Sequence, residues 1–261
     1  MADQTDRFAI HAACREGQGA QPGKSSSIVN NMKLTRAYGT LVVTVVESLL
    51  NADPKLANRK DDDGRLPIHW AASSNQLEIV RLLIQVKGFD PDVQDDSGWT
   101  PLMIAASVRD AEPVVDLLLN RGASVDEKNH NGQTALHFVA SKSNIDLAKK
   151  LLEGSPSASA RVRDKRGQYA IHRAAAVGST PMVTLLLKHR SPLNATDNYG
   201  QTALHHAVAE GHGDTAVALL KAGAETEKKD QSGFLALDLA PDKEVRKYII
   251  QAAEREGIEL A

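Results

Sequence analysis

A turn signature that returns at almost constant spacing constrains this 261-residue chain more than any other feature. Glycine follows an acidic or amide residue by three positions at Asp61-x-x-Gly64, Asp95-x-x-Gly98, Asn129-x-x-Gly132, Asp164-x-x-Gly167, Asp197-x-x-Gly200 and Asp230-x-x-Gly233. The glycine spacings are 34, 34, 35, 33 and 33. A chain built this way is a stack of one supersecondary unit, because a single unit cannot bury its own apolar face. Length therefore says little about domain count, since the core of such a stack grows one unit at a time.

Each glycine opens a similar phrase: Leu66-Pro-Ile-His69, Thr100-Pro-Leu-Met103, Thr134-Ala-Leu-His137, Tyr169-Ala-Ile-His172, Thr202-Ala-Leu-His205 and Leu235-Ala-Leu-Asp238. Thr100, Thr134 and Thr202 suit the N-cap of a first helix, and Pro67 and Pro101 suit its first turn, where a missing N–H costs nothing. The histidine is expected to tie the helix start to neighbouring loop backbone through its two nitrogens. Alanines follow, as in Ala71-Ala72 and Ala174-Ala175-Ala176, and allow two antiparallel helices to approach closely. A second helix carries an apolar stripe at helical spacing, legible as Ile79-Val80/Leu82-Leu83, Val114-Val115/Leu117-Leu118, Leu147-Ala148/Leu151-Leu152, Met182-Val183/Leu185-Leu186 and Ala216-Val217/Leu219-Leu220. Gly122 and Gly223 are placed to end their helices at C′. These phrases resemble the ankyrin repeat, and the fold class expected is an all-α ankyrin-repeat solenoid of seven helix-turn-helix repeats with short β-hairpin-like loops.

The register divides one ankyrin-repeat domain, 1–261, into repeats at 1–60, 61–94, 95–128, 129–163, 164–196, 197–229 and 230–261. The outer two are expected to act as caps. In the first, Phe8-Ala-Ile-His11-Ala-Ala-Cys14 opens the repeat and Leu41 to Leu50 supplies its second helix. His11 and His69 are 58 residues apart, 25 more than a 33-residue period, and the excess falls in Gly17 to Thr40. That Gly/Ser/Gln stretch, with Lys24, Lys33 and Arg36, reads as a disordered insertion. A basic arm for an anionic partner and an intron read as coding sequence are the other two readings. In the last repeat, a helix with Val245, Tyr248, Ile249 and Ile250 is expected to close the core.

Composition excludes several classes. The 31 basic and 33 acidic residues leave a net charge of −2, which does not suit bulk binding to a phosphate backbone, so no nucleic-acid partner is expected. The one cysteine, Cys14, rules out an internal disulfide framework. The start has no signal-peptide core and Leu41 to Val46 is too short to span a bilayer, so a soluble intracellular monomer without a membrane partner is expected, in the cytoplasm and nucleus. There is no Gly-rich phosphate loop, no Gly-x-Ser-x-Gly elbow and no His-Glu-x-x-His helix, so neither catalysis nor a cofactor is expected. His205, His206 and His212 are the densest histidine cluster and define the one enzyme hypothesis, a metal-dependent one, although His205 is already claimed by the repeat phrase. Asp61-Asp62-Asp63 lacks the spaced donors of a calcium loop.

Charge becomes informative when sorted by repeat. The loops entering repeats 2 and 3 hold Asp61, Asp62, Asp63, Asp90, Asp92, Asp95 and Asp96, whereas the loop between repeats 4 and 5 holds Arg161, Arg163, Lys165 and Arg166 around Asp164. Trp70 and Trp99, the two tryptophans, fall outside the second-helix stripes. Beside Arg65 they suit interface anchors, while simple packing between repeats is the alternative.

Several phrases match something narrower than the consensus. Asp63-Gly-Arg65-Leu-Pro-Ile-His-Trp70-Ala-Ala-Ser73, Asp95-Asp-Ser-Gly-Trp99-Thr-Pro-Leu-Met-Ile-Ala-Ala-Ser107, Leu136-His-Phe-Val-Ala-Ser-Lys142 and Ile171-His-Arg173-Ala-Ala-Ala-Val-Gly-Ser179 together resemble the gankyrin family. Ala209-Glu-Gly-His-Gly-Asp214 looks like its fungal branch. The resemblance implies a non-enzymatic chaperone of 26S proteasome assembly that holds the C-terminal domain of one AAA-type ATPase subunit of the regulatory-particle base. Carried over by motif, its partner-binding residues are Arg65, Trp70, Asp95, Asp96, Trp99, Ser107, Ser141 and Lys142, with Asp62, Asp63 and Arg109 added by location. An ankyrin adaptor or inhibitor for another protein is the alternative. Where animal members are associated with a Leu-x-Cys-x-Glu motif for pocket proteins, this chain reads His206-Ala-Val208-Ala-Glu210, so that partner is not expected.

Overall fold

The computed structural model describes residues 9–15, 41–258 and 260. The proposed insertion over Gly17 to Thr40, and Phe8 at the opening of the first repeat, lie outside the described residues. The chain parts into two compact units, Met1–Ser124 and Val125–Ala261. Among the described residues there is no strand, only an isolated bridge between Lys229 and Leu235, and no helix is long and apolar enough to cross a membrane.

The first unit contains α1 (Ala9–Arg15), α2 (41–52), a 3-10 turn (Pro54–Asn58), α3 (Pro67–Ser73), α4 (Leu77–Leu83), α5 (Pro101–Ser107) and α6 (Glu112–Asn120). The second contains α7 (Ala135–Ser141), α8 (Ile145–Glu153), α9 (Ala170–Ala176), α10 (Thr180–Lys188), α11 (Ala203–Ala209), α12 (Gly213–Lys221), a 3-10 turn (Ala236–Leu239) and α13 (Lys243–Arg255). First helices pack on first helices, α3 against α1 and α5 in one unit and α9 against α7 and α11 in the other. Helices of seven residues are too short to persist alone, so their stability comes from this packing. The second-helix stripe is the core: Ile79, Val80, Val114, Val115, Leu118, Leu147, Leu151, Met182, Val183, Leu186, Ala216 and Leu219 are buried, while Leu82, Leu117 and Val217, expected in the same stripe, are half-buried.

The capping chemistry follows the expected residues. Thr100 Oγ1 accepts from Met103 N–H at 3.3 Å, and Thr202 Oγ1 accepts from His205 N–H at 3.5 Å. The repeat histidines have one hydrogen-bonding pattern. His69, His137, His172 and His205 each accept through Nδ1 from the backbone N–H of their own N-cap, at 2.9, 3.1, 3.2 and 3.2 Å. With Nδ1 accepting, Nε2 is the protonated nitrogen. It donates to a carbonyl of the following loop in three cases: Val93 from His69, Gln168 from His137 and Ala195 from His172. His11 Nε2 lies 3.0 and 3.1 Å from the Arg59 and Arg65 carbonyls. His69, His137 and His172 are therefore neutral bolts, held at both ring nitrogens, that suit burial. Burial holds the pKa of all five below the usual histidine value, that of His172 at about 4. Cys14 is buried, and burial pushes its thiol up to about 12, so it is not a nucleophile near neutral pH.

The hairpin-like tips are closed by a backbone bond from Asp61 N–H to Arg65 O, and likewise Asp95 to Trp99, Asn129 to Gln133, Asp164 to Gln168, Asp197 to Gln201 and Asp230 to Phe234, with the signature glycine N–H of each tip donating back to the carbonyl of its first residue. Gly64, Gly98, Gly132, Gly167, Gly200 and Gly233 all take positive φ, which explains the invariant glycine of the signature. One element departs from expectation. The first helix of the last repeat is only a four-residue 3-10 turn, because Pro241 holds Ala240 in extended backbone at φ −58° and ψ 130° and stops the helix there.

Candidate partner-binding surface

The turn aspartates do most of the positioning. Asp61 Oδ1 accepts from the backbone N–H of Asp63 and Arg65 at 3.0 and 2.9 Å, which fixes the tip. Its Oδ2 accepts from the Trp70 indole N–H at 2.7 Å. Burial works against the charge on Asp61, but the indole and the two backbone donors outweigh it and hold the carboxyl below the usual aspartate value. The next tip repeats the device with a different donor. Asp95 Oδ1 accepts from the Ser97 and Trp99 N–H groups, both at 2.9 Å, and Arg65 Nε donates to its Oδ2 at 3.0 Å. The two tips are also joined directly, Asp96 N–H donating to Asp63 O at 3.1 Å.

Trp70 is the centre of this arrangement. The guanidinium carbons of Arg15 and Arg65 lie over its ring, 4.1 and 4.9 Å from the centroid, which is cation–π distance. Its N–H is bound to Asp61, so the ring is held from its edge and its face at once. Of the two readings of the tryptophans, the structure supports packing for Trp70, which is half-buried with intramolecular neighbours. Trp99 is also half-buried, and its backbone is pinned by Asp95.

The candidate residues of the first unit sort by exposure. Asp62, Asp63, Asp96 and Arg109 are exposed, and Arg65 and Ser107 are half-buried. Asp95 is 5 % exposed, and its carboxylate is engaged inside the protein, so it holds Arg65 and the tip in place and offers little to a partner. Ser107 Oγ donates to Ile104 O at 2.7 Å. In the second unit Ser141 Oγ likewise donates to its own helix, to His137 O at 3.0 Å, while Lys142 is exposed. What the first unit presents is thus a row of aspartates around a guanidinium whose geometry is fixed by Asp95 and Trp70.

Asp61 and Arg15 belong to this constellation although neither was among the expected site residues. A signal for Asp61 does exist, in the spacing of nine residues between turn aspartate and first-helix donor. It recurs as Asp164 with Arg173 at 3.0 Å and Asp197 with His206 at 3.1 Å. The histidine cluster, by contrast, disperses: His205 caps its helix, His206 binds Asp197, and His212 Nε2 meets Ala176 O at 3.2 Å. Among the described residues no three His, Cys, Asp or Glu side chains converge on a point that could hold a metal. Asp61→Asn should destabilise the first unit by about 1–2 kcal/mol, because an amide cannot accept from the indole and from two backbone donors as the carboxylate does. Urea unfolding checks the loss, and a shift in tryptophan emission should accompany it; unchanged stability and emission would show that the contact holds nothing.

Comparison with known proteins identifies the family. The family model for ankyrin repeats (3 copies) matches residues 36–129, 84–158 and 136–230, and the chain belongs to the ankyrin-repeat family. An ankyrin repeat-containing protein of Schizosaccharomyces pombe is 39 % identical over 217 residues, covering 82 % of this chain and 92 % of the relative. A Saccharomyces cerevisiae protein named as the probable 26S proteasome regulatory subunit p28 is 40 % identical over 210 residues, covering 78 % and 91 %. The human 26S proteasome non-ATPase regulatory subunit 10 matches over a shorter stretch, 41 % identical over 59 residues, or 23 % of this chain and 26 % of that one. Within the ankyrin family the chain is therefore a gankyrin-like protein of the fungal type. Among solved structures, the ankyrin repeat domain of Bcl-3 superposes with a TM-score of 0.67 at 24 % identity, over 92 % of this chain and 97 % of that one, a likeness of fold.

Proposed function

We propose that this protein is a non-catalytic chaperone that holds the C-terminal domain of one AAA-type ATPase subunit while the 26S proteasome regulatory particle is assembled, in the cytoplasm and nucleus. The observation that carries this reading is the similarity to the yeast regulatory subunit p28 over 91 % of that protein's length. The unit 1 surface supports it. Asp62, Asp63 and Asp96 are exposed around a fixed Arg65, a pattern suited to a partner with a basic rim and an acidic residue placed to meet the arginine. Complementary charge speeds encounter and sets register, and the half-buried Arg65 and Trp99 are the residue types that dominate binding energy. Lys142 adds a cation on the second unit.

The double variant Arg65→Ala with Trp99→Ala tests the reading. Binding to the recombinant ATPase C-terminal domain should weaken at least a hundredfold, from two anchors at about 2 kcal/mol or more each, while the circular-dichroism spectrum stays that of the parent. Unchanged affinity would remove this surface from the site, and a target outside the proteasome would instead mark an ankyrin adaptor.

A further inference from the structure

The last repeat is anchored on one side and open on the other. α10 packs between α8 and α12, and α12 between α10 and α13, whereas α13 has a second-helix neighbour in α12 alone. Toward α12, Ile249 and Ala253 are buried, the Tyr248 hydroxyl donates to the Asp214 carboxylate, and Lys221 Nζ lies 2.7 Å from Glu256 Oε1. These contacts fix α13 along its length. Its C-terminus closes in a Schellman motif: at Gly257, φ is +69°, its N–H donates to Glu254 O at 3.0 Å and that of Ile258 to Ala253 O at 2.9 Å. The chain thus turns Ile258 back along the helix.

An open groove of about 640 Å³ runs along the other side of α13. Leu237, Ile250, Ile258 and Leu260 line it and are half-buried, and Arg246 and Glu254 stand exposed on its walls. α13 has 13 residues where α8, α10 and α12 have nine, so it carries a complete i, i+4, i+8 row of Arg246, Ile250 and Glu254. That row is apolar at its middle and holds opposite charges at equal distances on either side. It is its own complement. Turned by half a revolution about an axis through Ile250 and perpendicular to the helix, a second α13 brings its Glu254 to the first Arg246 and its Arg246 to the first Glu254. Within one chain Arg246 meets Asp238 only at 3.7 Å, an exposed pair that holds it weakly.

We propose that two copies of this chain associate tail to tail, α13 lying antiparallel on α13 of the second copy with Ile250 at the two-fold axis and Leu237, Ile258 and Leu260 closing the groove. A self-complementary patch of this kind is what an isologous contact requires. The residues involved are far fewer than the roughly 20–30 a side of a standard interface, so the association is reversible, with a Kd of about 10–100 µM. The inference concerns the last repeat alone, does not rest on the ATPase reading, and stands in place of the monomer expected from sequence.

Sedimentation velocity of the full chain from about 5 to about 500 µM decides it. The expected result is a weight-average mass that climbs with concentration from 28.1 kDa toward twice that value. Arg246→Glu and Glu254→Arg should each weaken association at least tenfold, because symmetry makes either change act at two contacts, turning attraction into repulsion at both. The two single variants mixed in equal amounts should associate as the parent does, since each supplies the charge that the other has lost, and so should the double variant that carries both exchanges. Both positions are exposed, and thermal unfolding of each variant should match the parent. A mass that stays at 28.1 kDa throughout, single variants that associate as the parent does, or a mixture that stays monomeric would each overturn the proposal.

Discussion

Acidification from pH 7 to pH 4 should strip this protein of much of its stability through its buried histidines, ahead of the hydrogen-bonded turn aspartates. His11, His69, His137, His172 and His205 are all buried and neutral, and burial holds each below its usual value. In the unfolded chain each titrates near the ordinary value of 6.5. Between the two values the unfolded state binds more protons than the folded one, so stability rises with pH there. It is complete above about 6.5 and is lost as pH falls toward the folded value. For His172, with a folded value of about 4, the loss is about 3 kcal/mol on reaching that pH. The other four act in the same direction. Below pH 4 the loss continues through Asp61, Asp197 and Asp230, whose hydrogen bonds hold them low although burial opposes this. Urea midpoints followed by circular dichroism at pH 7, 5.5 and 4 should fall steadily. A midpoint that is flat from pH 7 to 4.5 would mean that the histidines are not neutral bolts.

The second large effect is expected at Gly200. Its φ of +77° is strained for any side chain, and a Cβ there would lie 2.9 Å from the backbone nitrogen of Gln231 and 3.2 Å from Asp230 Cα. Backbone atoms of the next tip cannot withdraw without breaking the hydrogen bond from Gln231 N–H to Tyr199 O. Gly200→Ala should therefore cost about 2–4 kcal/mol, combining backbone strain with a displaced neighbour. Gly223→Ala is the control: its φ of +90° is equally unfavourable, but nothing stands within 4 Å of the added carbon. That variant should lose only about 1 kcal/mol, the conformational part. Equal losses in urea unfolding would show that the signature glycine is needed for its dihedral angle alone.

Much of the fold was legible because its causes are local. The N-cap threonines, the C′ glycines, the second-helix stripe and the histidine that joins a helix to the next loop all act within one repeat or across one step. Their 33–35-residue period shows each of them more than once. The last repeat's shortened first element was missed although its cause, Pro241, is in plain view, since the Leu-Ala-Leu-Asp phrase satisfies the helix template up to that proline. The site was less legible. Asp62, Asp63 and Asp96, singled out by charge sorting, and Lys142, carried over by motif, are exposed, but Asp95 is buried because a turn aspartate serves its own tip first. Arg15 sits over Trp70 from 55 positions away in the sequence, and no spacing rule links residues on different repeats at that range.

If the chain is the chaperone proposed above, it selects one proteasomal ATPase. Titration calorimetry of the full chain against the recombinant C-terminal domain of each regulatory-particle ATPase tests it most directly. Tight one-to-one binding to a single paralogue is expected, with no measurable heat from the others; heat from none of them, or equal heat from all, would overturn the chaperone reading.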